Sequence, residues 1–471
     1  MISKEEKALA KESIRMALEA GAQGARVSLS KSSMNLVSTL NGEVDRVTSC
    51  QDCSISVAVF ADGRYGSFST NKLGREDLKD FIGKAVEMTK LLAPDPFRRL
   101  AAPDRLAKDA IDGNELGLYD AAFDGVTPER RIAFALENAV YGRQEHCCSG
   151  SLPPRTGSRN KTSPEQNAPG SWRLISEEGE YSDSDYHNYV VDSNGLEAIH
   201  CESSFEYGTE VTIEDAKGNK FSGGWWEASP SLKGFKPELV GPAALKEAVA
   251  QIGPKPCRSG KYTLVIDSEV STKVVNPILG ALNAYNVQQK NSFLADALGK
   301  AVFPEGLTLM DLPRSAGETG SKYFDSEGVA TVNHCIIDKG TVKEFFVNTY
   351  MAGKTGMAPT CEDAIRPRLL PWAPEGKVLK DRQAIMDYCG DGILVTDFVG
   401  GNCNTATGDF SYAIQGYRFK AGKVVCPVRE MLVTGNIVSL WQGFIAAGDD
   451  ARVCRAKLIP SLAFANVDFS G

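Results

Sequence analysis

The spacing of apolar residues changes from helical to strand-like at Gly21. Residues 5–20 carry apolar side chains at mostly helical spacing and end at that glycine, which predicts one amphipathic helix with a glycine cap. Beyond it, apolar and polar residues alternate with period two, which is the pattern of half-buried strands. The alternating segments are 25–30, 35–40, 44–48 and 54–60.

Two dipeptides, Asn41-Gly42 and Asp62-Gly63, lie between strand-like segments. Tight hairpin turns need positive φ angles, which Asn, Asp and Gly adopt more easily than other residues. The N-terminal region is therefore expected to form an antiparallel meander. Helices are predicted beside it at 75–92 and at 128–141, the second with Thr127 as its N-cap.

The second half of the chain is dominated by short strand-like runs and glycine-rich turns. Residues 262–267 form an apolar run of the kind that builds a buried strand. Helical spacing recurs in three segments: 236–250, 272–286 and 382–389. The pattern predicts an α+β protein. We expect an N-terminal α/β domain, residues 1–225, with an antiparallel meander and flanking helices, followed by a C-terminal, mostly β domain, residues 226–471.

Residues 147–179 interrupt this order. The segment is rich in Pro, Gly, Ser, Arg and Asn and poor in β-branched and aromatic residues. Such a composition cannot bury much apolar surface, so it predicts a long loop or a disordered insertion in the N-terminal domain.

Composition limits the possible classes of function. With 42% hydrophobic and 24% charged residues among 471, the chain is typical of a globular protein. Its net charge of -8 argues against direct nucleic-acid binding, which usually requires a basic surface. No run approaches the roughly 20 apolar residues of a membrane span, and no secretory signal is expected. The 12 cysteines are then expected to be reduced thiols, and the location cytoplasmic.

Asp325 and Glu327 are candidate paired carboxylates. Alternate residues of a strand share one face, and two carboxyl groups on one face can carry out acid/base chemistry. The same residues, with Gly328, also suit a hydrogen-bonded turn in which the glycine has positive φ. We favour the turn, and Asp325 and Glu327 remain candidate contacts for a peptide or a partner protein.

The glycine-rich run 400–411 is a second candidate. Gly400 and Gly401 permit close backbone approach, either by a bound peptide or within a bulged hairpin. Asp409 and Ser411 are candidate contact residues of the same run. Ser411 lies in no Gly-x-Ser-x-Gly elbow, and no Lys-Ser/Thr pair follows the glycines, so a phosphate loop is not predicted.

These runs carry a resemblance to a known family. The run from Phe324 to Val329, the run 400–411 and Pro460-Ser461-Leu462 resemble the TldD/PmbA (modulator of DNA gyrase) family, in particular its PmbA/TldE branch. The resemblance implies a two-domain protein that pairs with a TldD-like zinc metallopeptidase subunit to degrade or mature peptides. A homo-oligomer is a second possible assembly.

The resemblance also implies which residues are missing. In the catalytic branch of the family, a metal helix carries His-Glu-x-x-x-His. The matching positions here are Gly280, Ala281 and Tyr285, and none can ligate zinc as an imidazole would. We therefore expect no catalytic residue and no metal in this chain, with zinc in the TldD-like partner. Cys454 lies near the region that supplies a cysteine ligand in the catalytic branch, but we favour a packed thiol there.

Two hypotheses of different classes follow. The first is a non-catalytic PmbA/TldE-like subunit of a TldD/TldE-type metallopeptidase complex, in which this chain shapes the channel for a peptide substrate. The second is an independent hydrolase that uses an unidentified metal site or a nucleophile such as Ser411. Metal content and activity of the purified chain separate the two.

Overall fold

The computed structural model describes residues 1–140 and 172–471. The first helix begins in a capping box, in which Ser3 and Glu6 exchange hydrogen bonds between side chain and backbone. The first elements of the chain are α1 (Lys4–Glu19), β1 (Gly24–Leu40), β2 (Glu43–Ala61), β3 (Arg64–Thr70) and α2 (Arg75–Thr89).

The predicted antiparallel meander is confirmed, but its first four strand segments are two long strands. The turn between β1 and β2 has φ angles of 53° at Asn41 and 77° at Gly42. Ser33 interrupts the apolar alternation of β1 and nevertheless stays in the ladder, paired with Gln51. The backbone N–H of Ser33 donates to the side chain of Asp185. Because this partner is far along the chain, the local spacing of apolar residues could not predict that Ser33 belongs to a strand.

Three further strands complete the N-terminal sheet: β4 (Trp172–Asp192), β5 (Glu197–Asp215) and β6 (Lys220–Ser229). The strand order is β3-β2-β1-β4-β5-β6, and all neighbours are antiparallel. Residues 172–179, which the sequence placed in a loop or insertion, therefore belong to β4, where pairing with β5 provides the order that composition did not predict. Residues 147–171 of that segment lie outside the described residues.

Helices cover one face of the N-terminal sheet. Odd-numbered residues of β1, such as Val27 and Val37, point to this face because side chains alternate along a strand. Helices α1 and α2 cover one end, α3 (Pro128–Asn138) packs further along β1 and β4, and α4 (Val240–Ala250) packs on β5 and β6. Helix α3 begins at the predicted N-cap, Thr127.

Strand β6 continues through residue 225, where the sequence placed the domain boundary, and α4 lies beyond that residue while packing on the N-terminal sheet. The position of the boundary itself stays a prediction.

The C-terminal part contains a closed β-barrel. Its strands are β7 (Gly260–Ile266), β12 (Gly392–Cys403), β13 (Asp409–Lys420), β14 (Lys423–Asn436) and β16 (Leu462–Ser470), with β15 (Phe444–Ala447) beside β16. The order is β14-β13-β12-β7-β16, and β16 pairs again with β14, which closes the ring. Strands β7 and β12 are parallel, and the other barrel neighbours are antiparallel.

A small sheet and short helices accompany the barrel, so the α+β class is confirmed. The strands of the sheet are β8 (Leu309–Asp311), β9 (His334–Asp338), β10 (Thr341–Val342) and β11 (Pro367–Leu369). Their order in the sheet is β10-β9-β8-β11. The helices are α5 (Thr272–Ala281), α6 (Ala284–Gln288), α7 (Thr349–Thr355), α8 (Arg382–Cys389) and α9 (Ile437–Gln442).

The single helix predicted over 272–286 is wrong, because α5 and α6 are separated by a break. Two backbone hydrogen bonds hold the break: Phe346 N donates to the Leu282 carbonyl at 2.9 Å, and Ala284 N donates to the Phe346 carbonyl at 2.9 Å. Asn283 then caps α6 with its side chain. Pairing with a distant segment therefore overrides the helical spacing of the sequence.

The two parts of the chain meet on the sheet face opposite to the helices. Val190 and Ala198 lie on that face and pack in one apolar cluster with Leu106. Phe324 and Val329, from the C-terminal part, belong to the same cluster. The turn that contains the candidate carboxylates is thus anchored against the N-terminal sheet.

Two findings concern the cysteines and the length of the helices. The ten cysteines within the described residues are all free. Cys50 and Cys53 lie three positions apart on β2, so they point to opposite faces of the strand. Among residues 1–140 and 172–471, no helix is both long and apolar enough to cross a membrane.

Gly223 provides a test of how β6 packs on α4. A Cβ at this residue would stand 2.3 Å from Ala248 N and 2.5 Å from the Ala244 carbonyl oxygen. We expect Gly223→Ala to push strand and helix apart and to lower the free energy of unfolding by about 1–3 kcal/mol, which thermal melting would measure. Gly224→Ala is the matched control, since a Cβ there would make only an ordinary van der Waals contact, 3.6 Å from the Thr209 carbonyl oxygen. Equal losses in both variants would contradict this account.

Candidate functional site

A cavity of about 470 Å³ opens at the break between α5 and α6. Arg98, from the N-terminal part, also lines it, so both parts of the chain contribute to its wall. We call it the helix-break cavity. Its other wall residues include Gly280, Asn283, Tyr285, Phe346, Glu362 and Asp363.

The break brings Gly280 and Tyr285 to one cavity. In a continuous helix, residues five positions apart point in directions about 140° apart, so they do not share a face. Ala281, by contrast, is 0% exposed and packs in the core. Two of the three positions that match the metal helix therefore reach the cavity, and none of the three carries an imidazole or a thiol.

Two neighbouring carboxyl groups line the helix-break cavity together with the guanidinium of Arg98. Burial raises the pKa of Asp363 above its ordinary value, although a hydrogen bond from Asn283 favours the charged form. Glu362 accepts hydrogen bonds from the Ser326 backbone N–H at 3.1 Å and from the Ser326 hydroxyl at 2.8 Å. Acidic groups beside aromatic rings suit a cationic ligand group.

Asp325 and Glu327 lie in a turn, and each carboxylate has a different partner. Asp325 Oδ1 accepts hydrogen bonds from the backbone N–H groups of Glu327 and Val329, both at 2.9 Å. Gly328 completes the turn with a φ of 79°. Glu327 Oε2 accepts a hydrogen bond from Thr349 N, at the start of α7. The geometry is that of the turn, and the two carboxylates do not face a common reaction centre.

The glycine-rich run forms the β12–β13 hairpin and does not line the helix-break cavity. Gly400 adjoins a bulge, and Gly401 has a φ of 92° and lies so near β13 that a Cβ would stand 1.9 Å from the Ser411 carbonyl oxygen. Asp409 accepts a hydrogen bond from Asn436. Ser411 is exposed, and within the described residues no base is hydrogen bonded to its hydroxyl. A contact role for these residues stays a prediction.

Three side chains with metal-binding atoms meet elsewhere in the C-terminal part. The donor atoms of His334, Glu344 and Cys361 all lie within 4.8 Å of one another, and within residues 1–140 and 172–471 no other such group is found. Burial acts to lower the pKa of His334, but hydrogen bonds to Asp311, Cys361 and Glu344 outweigh it and raise that pKa well above its ordinary range.

Sequence reasoning missed this group because its members are widely spaced and form no motif. They meet only when the strands of the small sheet fold together. The one signal available in the sequence was His334 at the start of an apolar run, which is more often a structural histidine than a ligand.

Cys454 lies apart from both groups. The charged residues that influence its pKa are Arg452, Glu227 and Glu269, and burial is the main cause that raises it. Cys454 does not line the helix-break cavity.

The architecture and the site define a class of protein. An antiparallel sheet with helices on one face, joined to a closed barrel, is also the fold of solved relatives of the chain. Residues 25–89 match the family model described as PmbA/TldA metallopeptidase domain 1, and residues 259–471 match the model of the PmbA/TldA metallopeptidase C-terminal domain. The chain belongs to the TldD/PmbA family.

Individual relatives agree with this assignment. A crystal structure from Bacteroides thetaiotaomicron, described as a candidate modulator of DNA gyrase, is 35% identical, covers 100% of both chains and has a TM-score of 0.89. The metalloprotease PmbA of Escherichia coli O157:H7 is 26% identical over 464 residues, 96% of this chain and 95% of its own. The structure of TldE from Thermococcus kodakarensis, 16% identical with a TM-score of 0.79, covers 98% of this chain and 100% of its own and shows the shared fold.

Asp325 is expected to make stability depend on pH. Burial raises the pKa of this carboxyl from 3.8 to about 7. Its stabilising effect is therefore complete below the unfolded pKa and is lost as the pH rises through 7. Asp325→Asn keeps an oxygen for the turn but cannot ionise. Its melting temperature should therefore rise relative to the wild type as the pH increases from about 4 to about 7, and the difference should stay constant above that range.

Asp409→Asn is the matched control for this measurement. Asp409 is exposed, and its pKa is lowered by hydrogen bonds from Asn436 and Thr407, so it stays ionised across that pH range. A melting-temperature difference for Asp325→Asn that does not change with pH would show that Asp325 titrates normally.

Proposed function

We propose that this chain is a PmbA/TldE-type subunit of a TldD/TldE-type metallopeptidase complex, that it acts in the proteolysis or maturation of peptides, and that it is not itself catalytic. The observation that carries the proposal is the chemistry at Gly280, Ala281 and Tyr285. A zinc peptidase needs metal ligands and a carboxylate that activates the metal-bound water. These positions offer no imidazole, no thiol and no carboxylate, so the residues present do not fit a catalytic zinc ion.

The helix-break cavity supports a role in holding the peptide. Glu362 and Asp363 supply negative charge, and Tyr285 supplies an exposed aromatic surface at the opening. A cationic side chain or the amino end of a peptide would complement these groups. Arg98 brings the N-terminal part to the same wall, so a peptide there would contact both parts of the chain.

The proposal assigns the zinc ion to a TldD-like partner subunit. The names of two relatives, metalloprotease PmbA and TldE, connect the family with metal-dependent proteolysis, and the partner is proposed because Gly280, Ala281 and Tyr285 offer no zinc ligand. A homo-oligomer is the alternative assembly. The proposal includes no direct contact with nucleic acid or membrane, and the cytoplasmic location remains a prediction from composition.

An independent hydrolase is the competing function, and one observation favours it. His334, Glu344 and Cys361 form a possible metal site beside a small cavity. Ser411 gives this alternative no support, since its exposed hydroxyl is hydrogen bonded to no base among the described residues. Activity of the chain by itself is the feature that separates the two functions.

Reconstitution with a TldD-like zinc subunit tests the proposed function. The purified chain should be inert alone, and the mixture should form a complex with zinc-dependent cleavage of peptides. Within the complex, Glu362→Gln should slow cleavage of a cationic peptide by about tenfold or more, because a charged hydrogen-bond partner is lost. Glu305→Gln, at an exposed glutamate outside the cavity wall, should leave cleavage unchanged and serves as the matched control.

Failure of the two subunits to associate at micromolar concentration would contradict the proposal. Proteolysis by the chain alone, lost on chelation or in Ser411→Ala, would establish the independent hydrolase instead.

A further inference from the structure

We propose that the C-terminal part binds a zinc-class divalent cation through His334 and Cys361, with carboxylate oxygens of Glu344 and Asp311 completing its surroundings. This site differs in position from Gly280, Ala281 and Tyr285. The proposal therefore does not depend on the function proposed above, and it holds whether or not the ion takes part in chemistry.

Three segments bring the donor atoms together. His334 begins β9, Glu344 follows β10, and Cys361 lies between α7 and β11. Cys361 Sγ is 3.9 Å from His334 Nε2. A tetrahedral zinc ion, with bonds of about 2.0–2.1 Å to nitrogen and about 2.3 Å to sulfur, separates these two donors by roughly 3.5 Å. A small inward movement of the thiol therefore suffices to bind the ion.

Both ring nitrogens of His334 face a carboxylate. Glu344 contacts Nδ1, and Asp311 Oδ2 lies 3.4 Å from Nε2. A metal-bound histidine usually directs its second nitrogen to a carboxylate, which fixes the orientation of the ring. Whichever nitrogen binds the ion, a carboxylate on the other nitrogen is already in place. Asp311 is itself held by the backbone N–H groups of Ile365 and Arg366.

The surroundings also leave room and charge for a cation. A cavity of about 150 Å³ is lined by His334, Cys361, Glu344 and Asp311, with Asp325 also in its wall. The two carboxyl groups of Asp311 and Glu344 outnumber the single histidine between them. Binding would release the thiol proton of Cys361 and the proton on the ligating nitrogen of His334, and it would bring a doubly charged cation to these groups.

Nitrogen, sulfur and oxygen donors together favour zinc over calcium or magnesium. Thiolate and imidazole are preferred by borderline-soft transition metals, whereas calcium and magnesium take oxygen ligands. The ion would tie β9 to the loop that carries Cys361. The next two residues of that loop are Glu362 and Asp363, so the ion would also fix the acidic wall of the helix-break cavity.

Metal content of the full purified chain, measured after exposure to zinc and removal of free metal, tests the site. We expect about one ion per chain in the wild type, and loss of that ion in His334→Gln and in Cys361→Ser. Glu344→Gln should weaken binding by about 10- to 100-fold, as for a group that supports a ligand. Cys335→Ser is the matched control and should keep the ion. The Cys335 thiol is half-buried on β9, next to His334, but it is not in the donor group and hydrogen bonds to the Ile337 carbonyl at 3.3 Å.

Cobalt substitution and thiol protection supply readouts that need no activity. Cobalt bound at this site should give a thiolate charge-transfer absorption band that is present in Cys335→Ser and absent in Cys361→Ser. In the wild type, zinc should protect Cys361 from alkylation while Cys335 reacts as before, which mass spectrometry can assign. This last measurement stands even if the variants fail to fold.

The proposal is overturned if the zinc-exposed chain holds no metal, or if its metal content is unaffected by both His334→Gln and Cys361→Ser. Equal alkylation of Cys361 with and without zinc would overturn it too. None of these results would bear on assembly with a TldD-like subunit, so failure here and failure of the proposed function can be told apart.

Discussion

Two backbone hydrogen bonds to Phe346 hold the region on which the site depends. They pair the break between α5 and α6 with a segment of the small-sheet region, and so they satisfy polar groups that an interrupted helix would otherwise leave unpaired. The same segment leads from Glu344 through α7 to Cys361. The helix-break cavity and the group of His334, Glu344 and Cys361 are consequently both lined by residues of this segment.

The sequence predicted correctly those features that depend only on residues close to one another along the chain. The N-cap at Thr127 and the turn at Asn41-Gly42 are both present as predicted, because capping and positive φ are decided within a few residues. The alternation of the meander was likewise visible, since one face of the sheet is covered by helices. These features account for the correct assignment of the fold class.

Distant pairing explains what the sequence did not reveal. Ser33 remains in a strand through contacts with Asp185, and the helix over 272–286 breaks through contacts with Phe346. The donor group at His334 has no motif for the same reason, because tertiary folding alone brings its members together. The family resemblance identified Gly280, Ala281 and Tyr285 as positions without metal ligands. It could not indicate that Gly280 and Tyr285, which lie on opposite sides of the break between α5 and α6, would line one cavity.

The closure of the barrel has a consequence for the order of folding. Strand β7 pairs with β12 and β16, which lie far along the chain, whereas β1 with β2 and β4 with β5 are adjacent hairpins. Contacts between distant segments form slowly, because a long loop must close before they are made. The β4–β5 hairpin, which carries Val190 and Ala198, can therefore take shape while the barrel is still open, whereas joining this hairpin to β1 also closes a long loop. The surface that receives Phe324 and Val329 would then form before the turn that packs against it. Docking of that turn would be a late step of folding.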